Sequence, residues 1–278
     1  MKIGILGPES SYSEKAANIW KAHLGTNPDI SYLKDISEVF ETLQDNSIDY
    51  GVVPIENSIE GSVGVTLDLL LEHEFSIIGE VVVHIHHCLL SKGKKEDIRI
   101  ILSHPQALAQ CRHFIRKNYT DVEIRTTGST SHAAKLATEF SEMAAIASRK
   151  ASESFGLDIL AEDIQDWKPD LTRFVVIARK QDKRIQTCTH DCKTSIIVYL
   201  DRDHPGALYE MLGELATRGI NLTRIESRPS KMSLGDYVFY IDMNGSTKDP
   251  NVKEALDSLN QNVYMLKNLG SYQSYMEE

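Results

Sequence analysis

Short β-branched apolar runs alternate with helix-length amphipathic stretches from residue 1 to about residue 180. This alternation restricts the first part of the chain to an α/β layer architecture with a largely parallel sheet. The runs expected as strands are Lys2–Leu6, Ile30–Leu33, Tyr50–Pro54, Ser76–His86, Ile98–Leu102, Val122–Thr126, Ala144–Ala147 and Arg173–Ala178, with helices filling most of the intervals. The clearest helix is expected from about Pro105 to Asn118, because Ser103-His104-Pro105-Gln106 offers a Ser-x-x-Gln capping pattern and an early proline.

The pattern changes after residue 180. Lys180 to about Lys193 is charged and lacks apolar periodicity, so it reads as a boundary between domains. Beyond it the expected order is a strand at Ser195–Leu200, a helix at Gly206–Thr217, strands at Asn221–Arg228 and Tyr237–Met243, a helix at Asn251–Leu259 and a strand at Val263–Leu269. This βαββαβ order is the ferredoxin-like split motif, whose open sheet edge invites pairing with another copy.

Composition narrows the function classes. With 278 residues the chain is long enough for two domains with a core each. A formal charge of −10 argues against a nucleic-acid partner, whose binding surfaces are basic, so an anionic ligand would need local donors. No run of 18 apolar residues suggests a membrane span. Met1-Lys2-Ile3-Gly4-Ile5-Leu6-Gly7 runs straight into a strand pattern without a signal-peptide core, so the cytoplasm is the expected compartment. The four cysteines, Cys88, Cys111, Cys188 and Cys192, are expected as reduced thiols.

Four turns, expected between strands and helices, share a composition: Ser10-Ser11-Tyr12-Ser13, Asn57-Ser58-Ile59-Glu60-Gly61-Ser62, Ser103-His104-Pro105-Gln106 and Ser129-Thr130-Ser131-His132. Each would put hydroxyls and free N–H groups at a helix N-terminus, where negative charge is favoured. Plain capping explains any one of them; four at strand ends point to an anion-binding cleft. No phosphate-loop or dinucleotide fingerprint is present, so a carboxylate is the expected anion. Beyond Ser103, Gln106 and Gln110 share a helix sector about 60° wide, fitting neutral amides at a cleft edge or a solvated face.

Two clusters resemble metal sites. His84 and His86 of His84-Ile85-His86-His87 would share a strand face, but no partner has zinc spacing, and exposed or cleft-lining histidines are the default. Cys188-Thr189-His190-Asp191-Cys192 lies in the polar boundary segment and reads as linker. The stretch Asp166-Trp167-Lys168-Pro169-Asp170-Leu171-Thr172-Arg173-Phe174 is more informative, because a proline-marked turn delivers a Thr-Arg pair to the rigid end of an apolar strand.

These residues make the whole chain resemble a monofunctional prephenate dehydratase, a catalytic domain followed by an ACT regulatory domain. The matching motifs include Leu6-Gly7-Pro8 leading into Ser11-Tyr12-Ser13, Pro54-Ile55-Glu56-Asn57-Ser58-Ile59-Glu60-Gly61-Ser62-Val63, His87-Cys88-Leu89-Leu90 and Ser103-His104-Pro105-Gln106 through Cys111. They continue with Ala144 to Ser148, Ile164-Gln165-Asp166, Thr172-Arg173-Phe174, Gly206-Ala207-Leu208 and Ile225-Glu226-Ser227-Arg228-Pro229-Ser230. The chain departs from the pattern at Ser10, where the family usually carries Gly, and at Asp170, where it usually carries Asn. Ser10 bears on the shape of the first turn, and Asp170 puts a carboxylate near a dianionic substrate.

The resemblance implies a bilobal catalytic domain over residues 1–180, similar to the periplasmic-binding-protein type 2 architecture. Lobe one would take 1–82 and 170–180, and lobe two about 83–169, followed by a linker at 181–193 and the ACT domain at 194–278. It implies conversion of prephenate to phenylpyruvate, carbon dioxide and water without cofactor or metal. Thr172 is then the hydrogen-bond donor to the leaving hydroxyl, since an alcohol is a poor acid, and Glu56 the second candidate acid if burial raises its pKa. Glu56 could equally organise the Asn57–Ser62 turn. Residues expected around the substrate are Ser11, Asn57, Ser58, Ser103, Gln106, Gln110, Ser129, Thr130, Arg173 and Phe174.

The resemblance further implies that phenylalanine binds as effector between two ACT domains. One chain would give Gly206, Ala207, Leu208, Asn221 and Leu222, and the other Glu226, Ser227, Arg228 and Pro229, in a homodimer or homotetramer. An arogenate dehydratase and a non-catalytic amino-acid sensor are the competing readings; the intact Thr-Arg-Phe and Glu-Asn-Ser motifs argue against the sensor.

Overall fold

The computed structural model describes residues 1–179, 188, 190–200, 204–231 and 235–277. The first lobe opens with β1 (Lys2–Leu6), α1 (Tyr12–His23), β2 (Asp29–Leu33), α2 (Ile36–Gln44), β3 (Tyr50–Asn57), β4 (Gly61–Ser62), α3 (Gly64–Glu72) and β5 (Phe75–His84). The second lobe carries β6 (Cys88–Ser91), β7 (Ile100–Ser103), α4 (Pro105–Gln110), α5 (Arg112–Asn118), β8 (Glu123–Thr126), α6 (Thr130–Ala137), β9 (Met143–Ala147), α7 (Arg149–Phe155) and β10 (Asp158–Ala161). The chain then returns through β11 (Leu171–Arg179) and continues into β12 (Cys192–Tyr199), α8 (Ala207–Ala216), β13 (Leu222–Pro229), β14 (Tyr237–Asn244), α9 (Pro250–Asn262) and β15 (Met265–Met276).

Local chemistry accounts for the helix starts nearest the cleft. Ser11 caps α1 by accepting from the Glu14 N–H, and Ser129 caps α6 by accepting from the His132 N–H. β3, β5 and β11 are apolar on both faces because each is covered twice. Val53, Ile77, Val175 and Ile177 pack with α2 and α3, while Val52, Val81, Phe174 and Val176 pack with α1.

The sheets are mixed rather than largely parallel. β1 pairs in parallel with β2 and β3, but β11 runs antiparallel between β3 and β5. The second lobe has strand order β10-β6-β9-β7-β8, with β7 parallel to β8 and β9 and the other pairs antiparallel. The third unit is the βαββαβ fold, ordered β13-β14-β12-β15.

Its edge strand β15 does not stay open. It runs past the expected Leu269 to Met276 and pairs in parallel with β5, Ser274 opposite Glu80 and Met276 opposite Val82. One ten-stranded sheet therefore spans the first lobe and the carboxy-terminal domain. Gly270 permits the crossing: it sits at φ +125°, and a Cβ there would stand 2.5 Å from the Ile77 carbonyl oxygen.

Several expectations are corrected. The helix from Pro105 to Asn118 is two helices, broken at Cys111 with φ −112° and ψ 16°. Its cap is the His104 side chain and not Ser103. The Asn57–Ser62 turn leads into the short strand β4, so it is a hairpin and not a helix cap. β6 and β10 are not among the expected strands. Cys188 and Cys192 are joined by a disulfide and are not free thiols, whereas Cys88 and Cys111 are free and buried. Strand β12 already begins at Cys192, and residues 180–187 and 189 of the segment read as linker lie outside the described residues.

Candidate active site

Between the two lobes lies a cleft of about 840 Å³, within the range of small-molecule sites. Lobe one lines it with Gly7, Pro8, Ser11, Tyr12, Ser13, Lys34, Pro54, Asn57, Thr172 and Phe174. The second lobe adds His87, His104, Gln106, Ala107, Gln110, Gly128, Ser129 and Thr130, and Tyr32 and Glu38 also line the cavity. Of the expected substrate residues, Ser11, Asn57, Gln106, Gln110, Ser129, Thr130, Thr172 and Phe174 thus come together on one cavity. The N-termini of α1 and α6 both open onto it, which favours a bound anion.

Strand register puts Thr172 opposite Asn57, so the two side chains share a face. Asn57 Nδ2 lies 3.1 Å from Thr172 Oγ1 and 2.7 Å from Asp170 Oδ1. Its amide oxygen accepts from the Ile59 and Glu60 N–H groups at 2.9 and 3.0 Å, which fixes the amide's orientation. Because Asn57 donates to the Thr172 oxygen, the hydroxyl proton is left for an acceptor in the cleft. Burial raises the pKa of Asp170 above the usual carboxylate range, against the hydrogen bond from Asn57.

The other buried polar pair is His87 and Gln110, 3% and 5% exposed, with His87 Nε2 2.8 Å from Gln110 Oε1. Burial lowers the pKa of His87, favouring neutral imidazole. The same cause lowers that of His104. With His87 neutral, its Nε2–H donates to the Gln110 oxygen and the Gln110 NH₂ is released. The segment before Thr172 holds both residues: the His87 N–H donates to Gln165 Oε1 at 3.0 Å, and the Asp166 N–H to the Gln110 carbonyl at 2.7 Å.

Four expected residues stand elsewhere, Arg173 and Glu56 among them because neighbouring positions on a strand point to opposite faces. Arg173 faces away from the cleft and pairs with Glu56 at 3.2 Å, with Glu80 at 3.0 Å and with Asp242 of β14. Burial disfavours its charge, but Asp242, Tyr272 and Glu80 offset this and raise its pKa. Glu56 accepts from Arg173 and lies 3.4 Å from Arg224, so it joins an ion-pair cluster and is not a cleft acid. The Ser58 hydroxyl accepts from the Leu171 N–H at 2.9 Å, and buried Ser103 donates to the Ile146 carbonyl at 2.6 Å. Neither lines the cleft.

Lys34, His87 and His104 were not assigned to substrate from the sequence. His87 was legible as the first residue of the His87-Cys88-Leu89-Leu90 motif, whereas Lys34 lies in a loop without any motif. His86 pairs with Asp163 at 2.6 Å. Among the described residues no three His, Cys, Asp or Glu side chains converge to hold a metal ion.

In the carboxy-terminal domain Gly206, at φ +100°, caps α8 and lines a depression with Ala207, Leu208, Tyr199, Tyr237 and Phe239. Asn221, Leu222 and Glu226 to Pro229 lie outside this depression. The Asn221 carbonyl accepts from the Asn244 N–H at 2.9 Å, and Leu222 pairs with Met243. Glu226, Ser227 and Pro229 sit on the edge strand β13, while Arg228 reaches back to Asp68 of α3 at 3.0 Å.

Comparison with known proteins follows the same division. A family model described as prephenate dehydratase matches residues 3–182, and an ACT domain model matches residues 194–261. The chain is 43% identical over 268 residues to a prephenate dehydratase of Methanocaldococcus jannaschii, covering 95% of each. It is 38% identical to arogenate dehydratase/prephenate dehydratase 2 of Arabidopsis thaliana, covering 98% of this chain and 72% of the relative. A crystal structure of an Arthrobacter aurescens prephenate dehydratase in complex with L-Phe superposes with a TM-score of 0.88 at 34% identity, covering 98% of this chain and 90% of the other.

Proposed function

This chain belongs to the prephenate dehydratase family, and we propose that it converts prephenate to phenylpyruvate in the cleft between its lobes, under control of phenylalanine through its ACT domain. The observation that carries the reading is the Asn57–Thr172 pair, which supplies a hydroxyl proton at the rigid end of a strand facing an anion-favouring cleft.

The electron pair of the ring C–COO⁻ bond moves into the ring as carbon dioxide departs, and the 4-hydroxyl leaves as hydroxide hydrogen-bonded to Thr172 and becomes water by taking up a proton from solvent. Aromatisation drives the step, so the protein must bind two carboxylates and stabilise the leaving oxygen. Thr172 donates to that oxygen, and the Asn57 N–H accepted by Oγ1 strengthens it as a donor. The N-termini of α1 and α6, with Lys34, suit the carboxylates, and Gln106 and Gln110 add neutral donors without further charge. Neither a metal nor a cofactor enters this scheme.

Exposed Leu208, Tyr209, Ile225 and Tyr237 on the ACT domain support a homodimer or homotetramer in which phenylalanine is enclosed by Gly206 to Leu208 of one chain and Glu226 to Pro229 of another. The cytoplasm is the proposed site of reaction, since a dianionic metabolite does not cross lipid unaided. No helix among the described residues is long and apolar enough to cross a membrane.

The test is an assay of the purified chain with prephenate and with arogenate, following phenylpyruvate and phenylalanine as products. Turnover of prephenate with the higher kcat/KM is expected. A preference for arogenate would make the chain an arogenate dehydratase, and turnover of neither would defeat the enzymatic reading.

A further inference from the structure

Strand β13 meets different surroundings on its two faces. Residues directly opposed across an antiparallel pair share a face. Arg224, Glu226 and Arg228 stand opposite Asp242, Tyr240 and Val238 of β14, and Tyr240 and Val238 pack into the core of lobe one with Leu67 and Leu70 of α3. Ser227 and Pro229 stand opposite Phe239 and Tyr237, which line the depression at Gly206. One face of the strand thus meets the catalytic part, and the other belongs to the surface proposed for phenylalanine.

The lobe-one face is seated on a single stretch of chain, residues 56–68. Arg224, whose side chain is 6% exposed, donates to Ser62 Oγ at 2.6 Å and lies 3.4 Å from Glu56. Arg228 donates twice to the Asp68 carboxylate, at 3.0 and 3.2 Å, and a Cβ on Gly64 would stand 2.7 Å from its guanidinium. Tyr240 adds a hydrogen bond to the Leu67 carbonyl at 2.9 Å. The same stretch contains Asn57, which donates to the Thr172 hydroxyl, and Asn57 and Val63 line the cleft. Thr172 and β13 therefore bear on the same short piece of chain.

We propose that Arg224 and Arg228 couple the two sites: phenylalanine bound on the outward face of β13 shifts the strand, and the two guanidinium groups carry residues 56–68 with it. The proposal rests on the regulatory reading of the ACT domain and assigns residues to it. Arginine suits the role, because a planar fork of donors on a carboxylate fixes orientation as well as distance. Packed contacts of this kind shift between discrete arrangements rather than yielding gradually. A displacement of about 1 Å at Asn57 or Val63 is enough to cost on the order of 10²-fold in turnover, since the reaction needs its groups in near-attack geometry. Within Glu226 to Pro229, Ser227 and Pro229 are then the effector contacts and Arg228 is the transmitter.

The test uses the full chain and reads phenylalanine binding, by calorimetry, separately from its effect, the factor by which saturating phenylalanine lowers kcat/KM for prephenate. Asp68→Asn removes the charge that Arg228 and Lys231 share on α3, away from both the cleft lining and the Gly206 depression. It is expected to keep uninhibited kcat/KM within about twofold and phenylalanine affinity within about threefold, while the inhibition factor falls by roughly 3- to 30-fold. Arg224→Gln is expected to lower the factor in the same way. Amide hydrogen exchange across residues 56–68 should respond to phenylalanine in wild type and not in Asp68→Asn. An Asp68→Asn enzyme inhibited by the wild-type factor overturns the inference, whether or not Arg224→Gln folds. So does a loss of inhibition that follows entirely from lost phenylalanine binding. An inhibited wild type whose 56–68 amides do not respond overturns it without any variant. A wild type that phenylalanine does not inhibit overturns the regulatory reading and the inference with it.

Discussion

Arg173 donates from its guanidinium to the Asp242 carboxylate on β14, so the strand that presents Thr172 is tied to the ACT domain one residue later. Glu80, fully buried on β5, completes the cluster by pairing with Arg173 at 3.0 Å and with Lys193 of β12 at 2.6 Å. The catalytic strand and the regulatory domain thus share buried charges that neither part balances alone.

Removing one member of such a cluster leaves the others buried and uncompensated, which costs about 3–5 kcal/mol. Arg173→Ala is therefore expected to lower Tm by many degrees and to expose the domain boundary to protease. A thermal melt that matches wild type would refute the assignment of Arg173 as an interdomain clamp.

Thr172→Ala should lower kcat by roughly 10²–10³-fold, the scale of losing one transition-state donor, with an unaltered circular-dichroism spectrum. Thr172→Ser, which keeps the hydroxyl beside Asn57, should retain most of the activity. Equal loss in both variants would mean that the methyl group, and not the hydroxyl, is what the site requires.

Cutting the chain near Arg179 is expected to destabilise the catalytic part rather than simply free it from phenylalanine. β5 would lose its partner β15, Glu80 would lose Lys193, and Arg173 would lose Asp242. Regulation is better tested on the full chain through reciprocity: phenylalanine should weaken binding of a substrate analogue by the factor, typically about 5- to 150-fold, by which the analogue weakens phenylalanine. An analogue affinity that phenylalanine leaves unchanged would exclude a coupling that acts on affinity.

The Cys188–Cys192 disulfide predicts a thiol count. Denatured protein that has not been reduced should take up two equivalents of alkylating agent, at Cys88 and Cys111, and reduced protein four. Four equivalents before reduction, with alkylation mapped to Cys188 and Cys192, would show that the pair is not bonded in solution.

Ser10 occupies the left-handed region at φ +64°, and its hydroxyl meets that of Ser154 at 2.7 Å. Ser10→Gly should be near neutral, because backbone relief offsets the lost hydrogen bond. Ser10→Ala keeps the strain and loses the bond, and should be roughly 1–2 kcal/mol less stable than Ser10→Gly by urea unfolding. Equal stability of the two variants would remove backbone strain from the account of this turn.

What the sequence determined by itself was local. The apolar runs located β1, β3, β5 and β11, the Ser11 and Ser129 caps began their helices as expected, and the Thr-Arg-Phe motif marked a strand end whose first residue does line the cleft. Periodicity and capping act over a few residues, so a few residues suffice to read them. Only the tertiary structure decided that Asn57 and Thr172 face the cleft while their neighbours Glu56 and Arg173 turn away, because that depends on the register of β3 against β11. It also decided that β15 closes on β5, and that Arg173 finds Asp242, 69 residues further along the chain. Such pairings are selected by burial and charge balance in the assembled core, and no local pattern in the chain records them.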